Sequence, residues 1–124
     1  MADTRPKHLE LTRIRLPLPG VVSILHRISG AALFLFMPFM LWLLQSSLTA
    51  PDTYVRYRDA ISQPLVKLIL IGLLWAFLHH LFAGIRFLLL DVHVGTELAA
   101  ARNSSRVVLG VSLLLTVLLG AWIW

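Results

Sequence analysis

Three long stretches of the sequence carry no Asp, Glu, Lys or Arg. They run over positions 28–50, 68–85 and 107–124 and contain 23, 18 and 18 residues. A membrane-spanning helix needs about 20 apolar residues, because each residue rises about 1.5 Å through a hydrocarbon core of about 30 Å. The pattern therefore predicts an all-α integral membrane protein with three transmembrane helices, at about 21–48, 64–91 and 105–124.

Helix-breaking and turn-forming residues lie between these stretches. Pro17, Pro19 and Gly20 precede the first predicted helix. Pro51 and Pro64 bracket a predicted loop at 48–63, and Pro64 suits the first turn of the second helix. Gly95, Asn103, Ser104 and Ser105 indicate a second loop at 91–105.

Composition narrows the class of protein further. Of 124 residues, 58% are hydrophobic and 14% are charged, and the mean hydropathy is +0.82. That is too little charge to cover a water-facing surface, and three helices leave no room for a soluble catalytic domain. We expect one membrane domain over 1–124, with 1–20 as a tail. The chain has no cysteine, which excludes disulfides and any iron–sulfur cluster held by this chain alone.

The net charge of +5 and the isoelectric point near 10.8 would indicate nucleic-acid binding in a soluble protein. Here the basic residues follow membrane topology instead. Seven lie in the tail or around the second loop, and three lie between the first two helices. The positive-inside rule then predicts a cytoplasmic N-terminus, a periplasmic C-terminus and the lipid bilayer, not nucleic acid, as the surrounding partner.

Two clusters of polar residues fall inside the predicted helices, where charge is costly. The first is Ser23, His26, Arg27, Ser29 and Gly30, and the second is His79, His80, Gly84, Arg86 and Asp91. Counted along their helices from the same side of the membrane, both clusters lie at comparable depth. They are the candidate functional residues.

The second cluster contains a candidate haem ligand. Gly72, Ala76, His80 and Gly84 recur every four residues, which sets one imidazole in a stripe of small side chains. A neutral imidazole in an apolar site suits haem iron, and nearby cations suit the propionates. His79 points about 100° away, so spacing alone slightly prefers His80.

Simpler interpretations exist for each group. A histidine inside the membrane also serves as an interhelical hydrogen-bonding group. Arg27 is equally interpreted as a residue that extends to the membrane surface. Arg86 and Asp91, near a helix end, are better explained as solvated charges at the level of the lipid headgroups.

Two spaced motifs resemble a known family. Arg5-Pro6, then Ser23-Ile24-Leu25-His26-Arg27-Ile28-Ser29-Gly30, and His80-x-x-x-Gly84-Ile85-Arg86 with a later Asp91, resemble the cytochrome b subunit of bacterial succinate dehydrogenase, the larger of its two membrane anchors. The resemblance covers essentially the whole chain. Phe87 stands where many relatives have a second histidine, and Lys7 stands where an apolar residue is more usual.

The resemblance implies a role for several residues. His80 matches the axial ligand of haem b, whose second ligand comes from the partner anchor subunit. Ser23 and Arg27 match residues that line the ubiquinone site beside the iron–sulfur subunit. His26 and Arg27 match groups near the haem propionates, and Asp91 with Glu97 falls where protons approach the quinone. A flavoprotein subunit completes the implied complex, in the bacterial inner membrane as a multi-pass assembly.

Three alternatives stay open at this point. His26 and His80 lie at similar depth, so both ligands could come from this chain. The same fold could serve a fumarate reductase that uses menaquinone. A small assembly or transport subunit without haem is the third, with Arg27, His80 and Asp91 as a proton or anion relay.

Overall fold

The computed structural model describes residues 14–124, which form four α-helices. These are α1 (Leu18–Leu48), α2 (Pro51–Ser62), α3 (Pro64–Asp91) and α4 (Leu98–Ile123). Within the described residues α1, α3 and α4 are the helices long and apolar enough to cross a membrane. The predicted all-α fold with three spans is confirmed. Most of the predicted tail, including Arg5 and Pro6, lies outside the described residues.

Prolines mark the starts of α1 and α3, as the sequence indicated. Pro64 is the first residue of α3, which ends at Asp91, and both bounds match the prediction. Pro17 is the N-cap of α1, in extended conformation, and Pro19 lies in the first turn. Proline suits these positions because its fixed φ fits a helix start and its missing N–H leaves no donor unpaired.

The prediction of a loop at 48–63 was wrong, because most of this segment forms the helix α2. Pro51 starts this helix, and Thr53 stabilises its first turn. The Ala50 N–H donates to Thr53 Oγ1 at 3.0 Å, and the Thr53 hydroxyl donates to the Ala50 carbonyl at 2.8 Å. The helix contacts α1 and α3 but buries none of its own residues. It is too short and too polar to cross a membrane.

The predicted start of the third span was also wrong. α4 begins at Leu98, seven residues before the predicted start at 105. Three consecutive alanines at 99–101 favour helix, and the polar residues after them continue it. Ser104 and Ser105 therefore lie in α4, not in a loop, and Ser105 is fully buried.

The connection between α3 and α4 is a tight turn. The His93 N–H donates to the Leu90 carbonyl and the Val94 N–H to the Leu89 carbonyl, both at 2.9 Å. His93 has a φ of 61°, so this pair of bonds with a left-handed residue is a Schellman motif. The motif ends α3 sharply and turns the chain into α4.

The interior of the bundle is as polar as it is apolar. Seven of the fourteen buried residues in the described chain are polar or charged: Ser29, Ser46, His79, Arg86, Ser105, Ser112 and Thr116. The outside is apolar, with Phe34 and Leu35 each 72% exposed. Small hydroxyl residues inside and large apolar residues outside are typical of helices that pack together in lipid.

Candidate functional site

The His80 imidazole is held against one turn of α1. Its Nδ1 lies 3.0 Å from the His26 carbonyl oxygen and 3.3 Å from Ser29 Oγ. Because a carbonyl only accepts, Nδ1 must carry the proton and donate. The Ser29 hydroxyl donates to the same carbonyl at 2.9 Å, so its oxygen is left to accept from Nδ1. This arrangement selects the tautomer whose Nε2 has a lone pair, which is the form that ligates iron.

Glycine makes this approach sterically possible. A Cβ at Gly30 would lie 2.8 Å from His80 Cε1 and 3.2 Å from Nδ1, which is closer than such atoms come. We call His26, Ser29 and Gly30 of α1 the imidazole seat. Glycine is not required in this way at position 84 of α3, since a Cβ there would lie 3.6 Å from His26 Nε2, an ordinary van der Waals contact.

The His26 and His80 rings lie face to face. Their centroids are 4.1 Å apart with an interplanar angle of 5°, and Phe87 packs edge-on against His26 at 5.1 Å. A histidine binds iron through a lone pair in the plane of its ring. Two face-stacked rings direct their lone pairs in parallel planes and not toward a common atom. This geometry argues against His26 and His80 as two ligands of one iron.

His79 lies in a different environment from His80. It is fully buried, and its ring stacks on Trp75 with centroids 5.2 Å apart. His80 is half-buried and faces α1. The two imidazoles diverge, as the helical spacing predicts, and of the two His80 is the one with an accessible part.

Ser23 and Arg27 lie one turn apart on α1. Ser23 is half-buried and Arg27 is exposed. Neither side chain forms a hydrogen bond or an ion pair with another described residue. The structure thus sets a hydroxyl and a guanidinium on a helix surface that another molecule can contact.

The expectation that Arg86 is a solvated charge was wrong. It is 5% exposed, and its guanidinium links α3 to α4. Nε donates to Ser104 Oγ at 2.9 Å and Nη2 donates to the Ala101 carbonyl at 3.3 Å, while the guanidinium carbon lies 5.4 Å from the Phe87 ring centroid. The prediction failed because both acceptors lie in the part of α4 that was expected to be a loop.

Asp91 and Glu97 are both exposed, at the two ends of the turn between α3 and α4. Asp91 lies roughly 16 Å along α3 from His80, since eleven residues separate them. The structure does not bring Asp91 to the imidazole seat. Its expected role in proton delivery, and that of Glu97, stays a prediction.

Ser29 and Gly30 are the functional candidates that sequence reasoning named without assigning a role. Both stood in the first polar cluster, but no spacing rule connects α1 to a particular residue of α3. The available signal was local: a serine and a glycine directly after His26 make a small, polar helix surface.

Comparison with known proteins gives the chain a family. The model of the succinate dehydrogenase/fumarate reductase transmembrane subunit family matches residues 1–119. The chain belongs to this family. The succinate dehydrogenase cytochrome b556 subunit of Coxiella burnetii is 40% identical over 125 residues, which is 100% of both chains. Those of Paracoccus denitrificans and Rickettsia felis are 35% and 31% identical, over 95% and 94% of this chain and 94% and 91% of theirs.

Membership of the succinate dehydrogenase/fumarate reductase transmembrane family confirms the resemblance seen in the two motifs. It also confirms the expected location, since a transmembrane subunit family and three apolar helices describe a multi-pass protein of the bacterial inner membrane. The hydrogen bonds at the imidazole seat fit a haem ligand, because the His80 ring donates to both acceptors through Nδ1 and not through Nε2.

Proposed function

We propose that this chain is the cytochrome b membrane anchor of a succinate dehydrogenase and that it binds haem b through His80. The observation that carries the proposal is the pair of hydrogen bonds at His80 Nδ1, which selects the tautomer with Nε2 as the ligand. The names of the relatives, cytochrome b556 subunits, support the same cofactor. Because His26 is face-stacked and His79 is buried, the second ligand comes from another subunit, a second small membrane anchor.

Haem b, when bound, supplies a one-electron redox centre. The chain orients its ligand through the imidazole seat and carries cationic or polar groups for the propionates, which are His26 and Arg27. Arg27 suits this role because it is exposed and always charged. The shared ligation also joins the two anchor subunits.

Ser23 and Arg27 form part of the ubiquinone-reduction site. Reduction of a quinone places negative charge on its carbonyl oxygens, and two protons must follow the two electrons. A hydroxyl and a guanidinium that donate to those oxygens in a low-dielectric site stabilise this charge. Both groups are accessible on one surface of α1, so the rest of the site belongs to neighbouring subunits.

The orientation of the chain and its remaining partners follow from this function. The N-terminus lies in the cytoplasm and the C-terminus in the periplasm, on the asymmetry of basic residues. The chain has no cysteine, so the clusters that deliver electrons belong to an iron–sulfur subunit, and the flavin to a flavoprotein subunit. Asp91 and Glu97, at the cytoplasmic turn, accept protons from water on the way to the quinone.

The alternative functions are less well supported. The family includes fumarate reductase subunits, but the relatives at 40% and 35% identity are succinate dehydrogenase subunits, which favours succinate oxidation over fumarate reduction. A transport subunit without haem gives no reason for a glycine in contact range of a histidine whose tautomer is fixed.

Absorption spectroscopy of the purified complex tests the proposal. Wild-type complex is expected to show reduced b-type haem bands. His80→Leu is expected to abolish them, while His79→Leu retains them, which makes the adjacent histidine the matched control. Normal haem content in His80→Leu, or no haem bands in the wild-type complex, contradicts the assignment. Comparison of succinate-driven ubiquinone reduction with menaquinol-driven fumarate reduction separates the two redox functions.

A further inference from the structure

We propose that Ser29 and Gly30 are positioning residues for haem, because together with His26 they fix the tautomer and the ring plane of His80 from within this chain. The inference rests on the proposed function and deepens it, since it names the residues that prepare the ligand. Haem binding then depends on the packing of α1 against α3 as well as on His80 itself.

The proton on the His80 imidazole decides which ring nitrogen has a lone pair for iron. A free neutral histidine exchanges between two tautomers, and one of the two presents N–H to an incoming iron. In the imidazole seat both acceptors, the His26 carbonyl and Ser29 Oγ, face Nδ1. The two bonds share one N–H, so Ser29 adds an acceptor that holds the proton on Nδ1 when the helices move slightly.

The plane of the His80 ring is fixed by its contacts with α1. The face of His80 packs on His26 at 5°, and its Cε1–Nδ1 edge lies against Gly30. Rotation of the imidazole breaks the Nδ1 bonds and loses the stacking contact. A side chain at position 30 would push the edge away from α1. The plane is therefore set by contacts within this chain.

Comparison with the other buried hydroxyls shows what is specific to Ser29. Ser105, Ser112 and Thr116 each donate to a carbonyl three or four residues earlier in α4. Ser29 also satisfies its hydroxyl in this way, on the His26 carbonyl. It differs because its oxygen additionally contacts a side chain of another helix, at His80. The first bond is local to α1, whereas the second connects α1 to the ring of the proposed ligand.

Matched variants of the whole, purified complex test the proposal. Ser29→Ala is paired with Ser112→Ala, which removes a similarly buried hydroxyl whose hydrogen bond lies within α4. Gly30→Ala is paired with Gly72→Ala, which lies two turns from His80 on α3 with open space around it. The two readouts are the rate of haem transfer to excess apomyoglobin and the low-spin electron paramagnetic resonance spectrum, whose largest g value depends on the angle between the axial imidazole planes.

Loss of an outer-shell partner of a metal ligand costs about 10–100-fold in affinity. We therefore expect haem transfer to apomyoglobin to be about 10-fold faster in Ser29→Ala and about 100-fold faster in Gly30→Ala. We also expect a shifted g value in Gly30→Ala, and wild-type behaviour in both controls. The proposal is overturned if Ser29→Ala and Gly30→Ala match their controls in both readouts. If Gly30→Ala does not assemble, Ser29→Ala decides alone. Haem retained in His80→Leu refutes the ligand assignment instead, so the two failures are distinguishable.

Discussion

Arg27 and Arg86 are two arginines inside predicted membrane helices, and the structure gives them opposite environments. Arg86 is buried between α3 and α4 and donates to Ser104 and to the Ala101 carbonyl. Arg27 is exposed on α1 and bonds to no other described side chain. Both arginines carry the same cost of placing a charge in the membrane. Their contacts, and not that cost, distinguish an arginine that links two helices from one that lies on a helix surface.

The same contrast divides the candidate site. His80 is positioned by hydrogen bonds within this chain, whereas the half-buried Ser23 and the exposed Arg27 form no hydrogen bond with another described residue. Under the proposed function, the chain supplies a positioned iron ligand but only one side of the quinone site. Substitutions should therefore affect the haem through this chain's own packing, and quinone reduction through contacts with other molecules.

Arg27→Leu is the largest expected effect on activity. Removal of one preorganised donor to a developing oxyanion costs about 10²–10³ in kcat, so succinate-driven ubiquinone reduction should fall by that factor. Succinate oxidation with an artificial acceptor should be unchanged, because it does not use this site. Ser23→Ala should give a smaller loss of the same kind, and Arg27→Lys, which keeps the charge, should retain part of the activity.

The control for Arg27→Leu is Arg56→Leu, which removes an exposed arginine from α2, outside the proposed site. It should leave both activities unchanged. Equal loss of ubiquinone reduction and artificial-acceptor reduction in Arg27→Leu would show that this arginine stabilises the complex, as Arg86 does, and would remove the distinction between them.

Ser104→Ala tests the structural arginine. The change leaves a buried guanidinium N–H unpaired, so the free energy of unfolding in detergent should fall by about 1–3 kcal/mol. Arg86→Met should cost less, because an apolar side chain of similar length leaves no buried donor. Ser62→Ala, which removes an exposed hydroxyl bonded to its own helix, is the control.

The order of these two stabilities decides the role of Arg86. If Arg86→Met destabilises the bundle more than Ser104→Ala, the guanidinium stabilises it through its remaining contacts, with the Ala101 carbonyl and the Phe87 ring. If both variants match Ser62→Ala, the hydrogen bonds between α3 and α4 contribute nothing measurable.

The three spans were predictable because lipid imposes a simple rule. A backbone in the membrane must satisfy its hydrogen bonds within a helix, so length and apolar composition suffice to find α1 and α3 within a few residues. The rule does not apply to α2, which is polar and lies between spans. It also missed the start of α4, where Arg102 and Asn103 interrupt the apolar stretch without interrupting the helix.

The candidate site was predictable in its members but not in their contacts. The spacing of His79 and His80 predicts that they diverge, and the structure shows that His80 is the one with hydrogen bonds to α1. Burial of Arg86 depends on Ser104 lying one helix away, and no periodicity within one helix encodes that distance. Tertiary contacts between helices are the part that local patterns leave undetermined.

Substitutions in the turn between α3 and α4 have the smallest expected effect on the free energy of unfolding. They test whether this turn, besides Arg86, holds the two helices together. His93 occupies the left-handed position of the Schellman motif with a φ of 61°. A β-branched residue is strained there, so His93→Val should lower the free energy of unfolding by about 1–2 kcal/mol. His93→Gly should be neutral or stabilising by up to about 1 kcal/mol, because glycine adopts this conformation without strain but gains freedom when unfolded. Neither change should alter ubiquinone reduction. If His93→Val is as stable as the wild type, the turn contributes little and the Arg86 hydrogen bonds set the packing of α3 on α4.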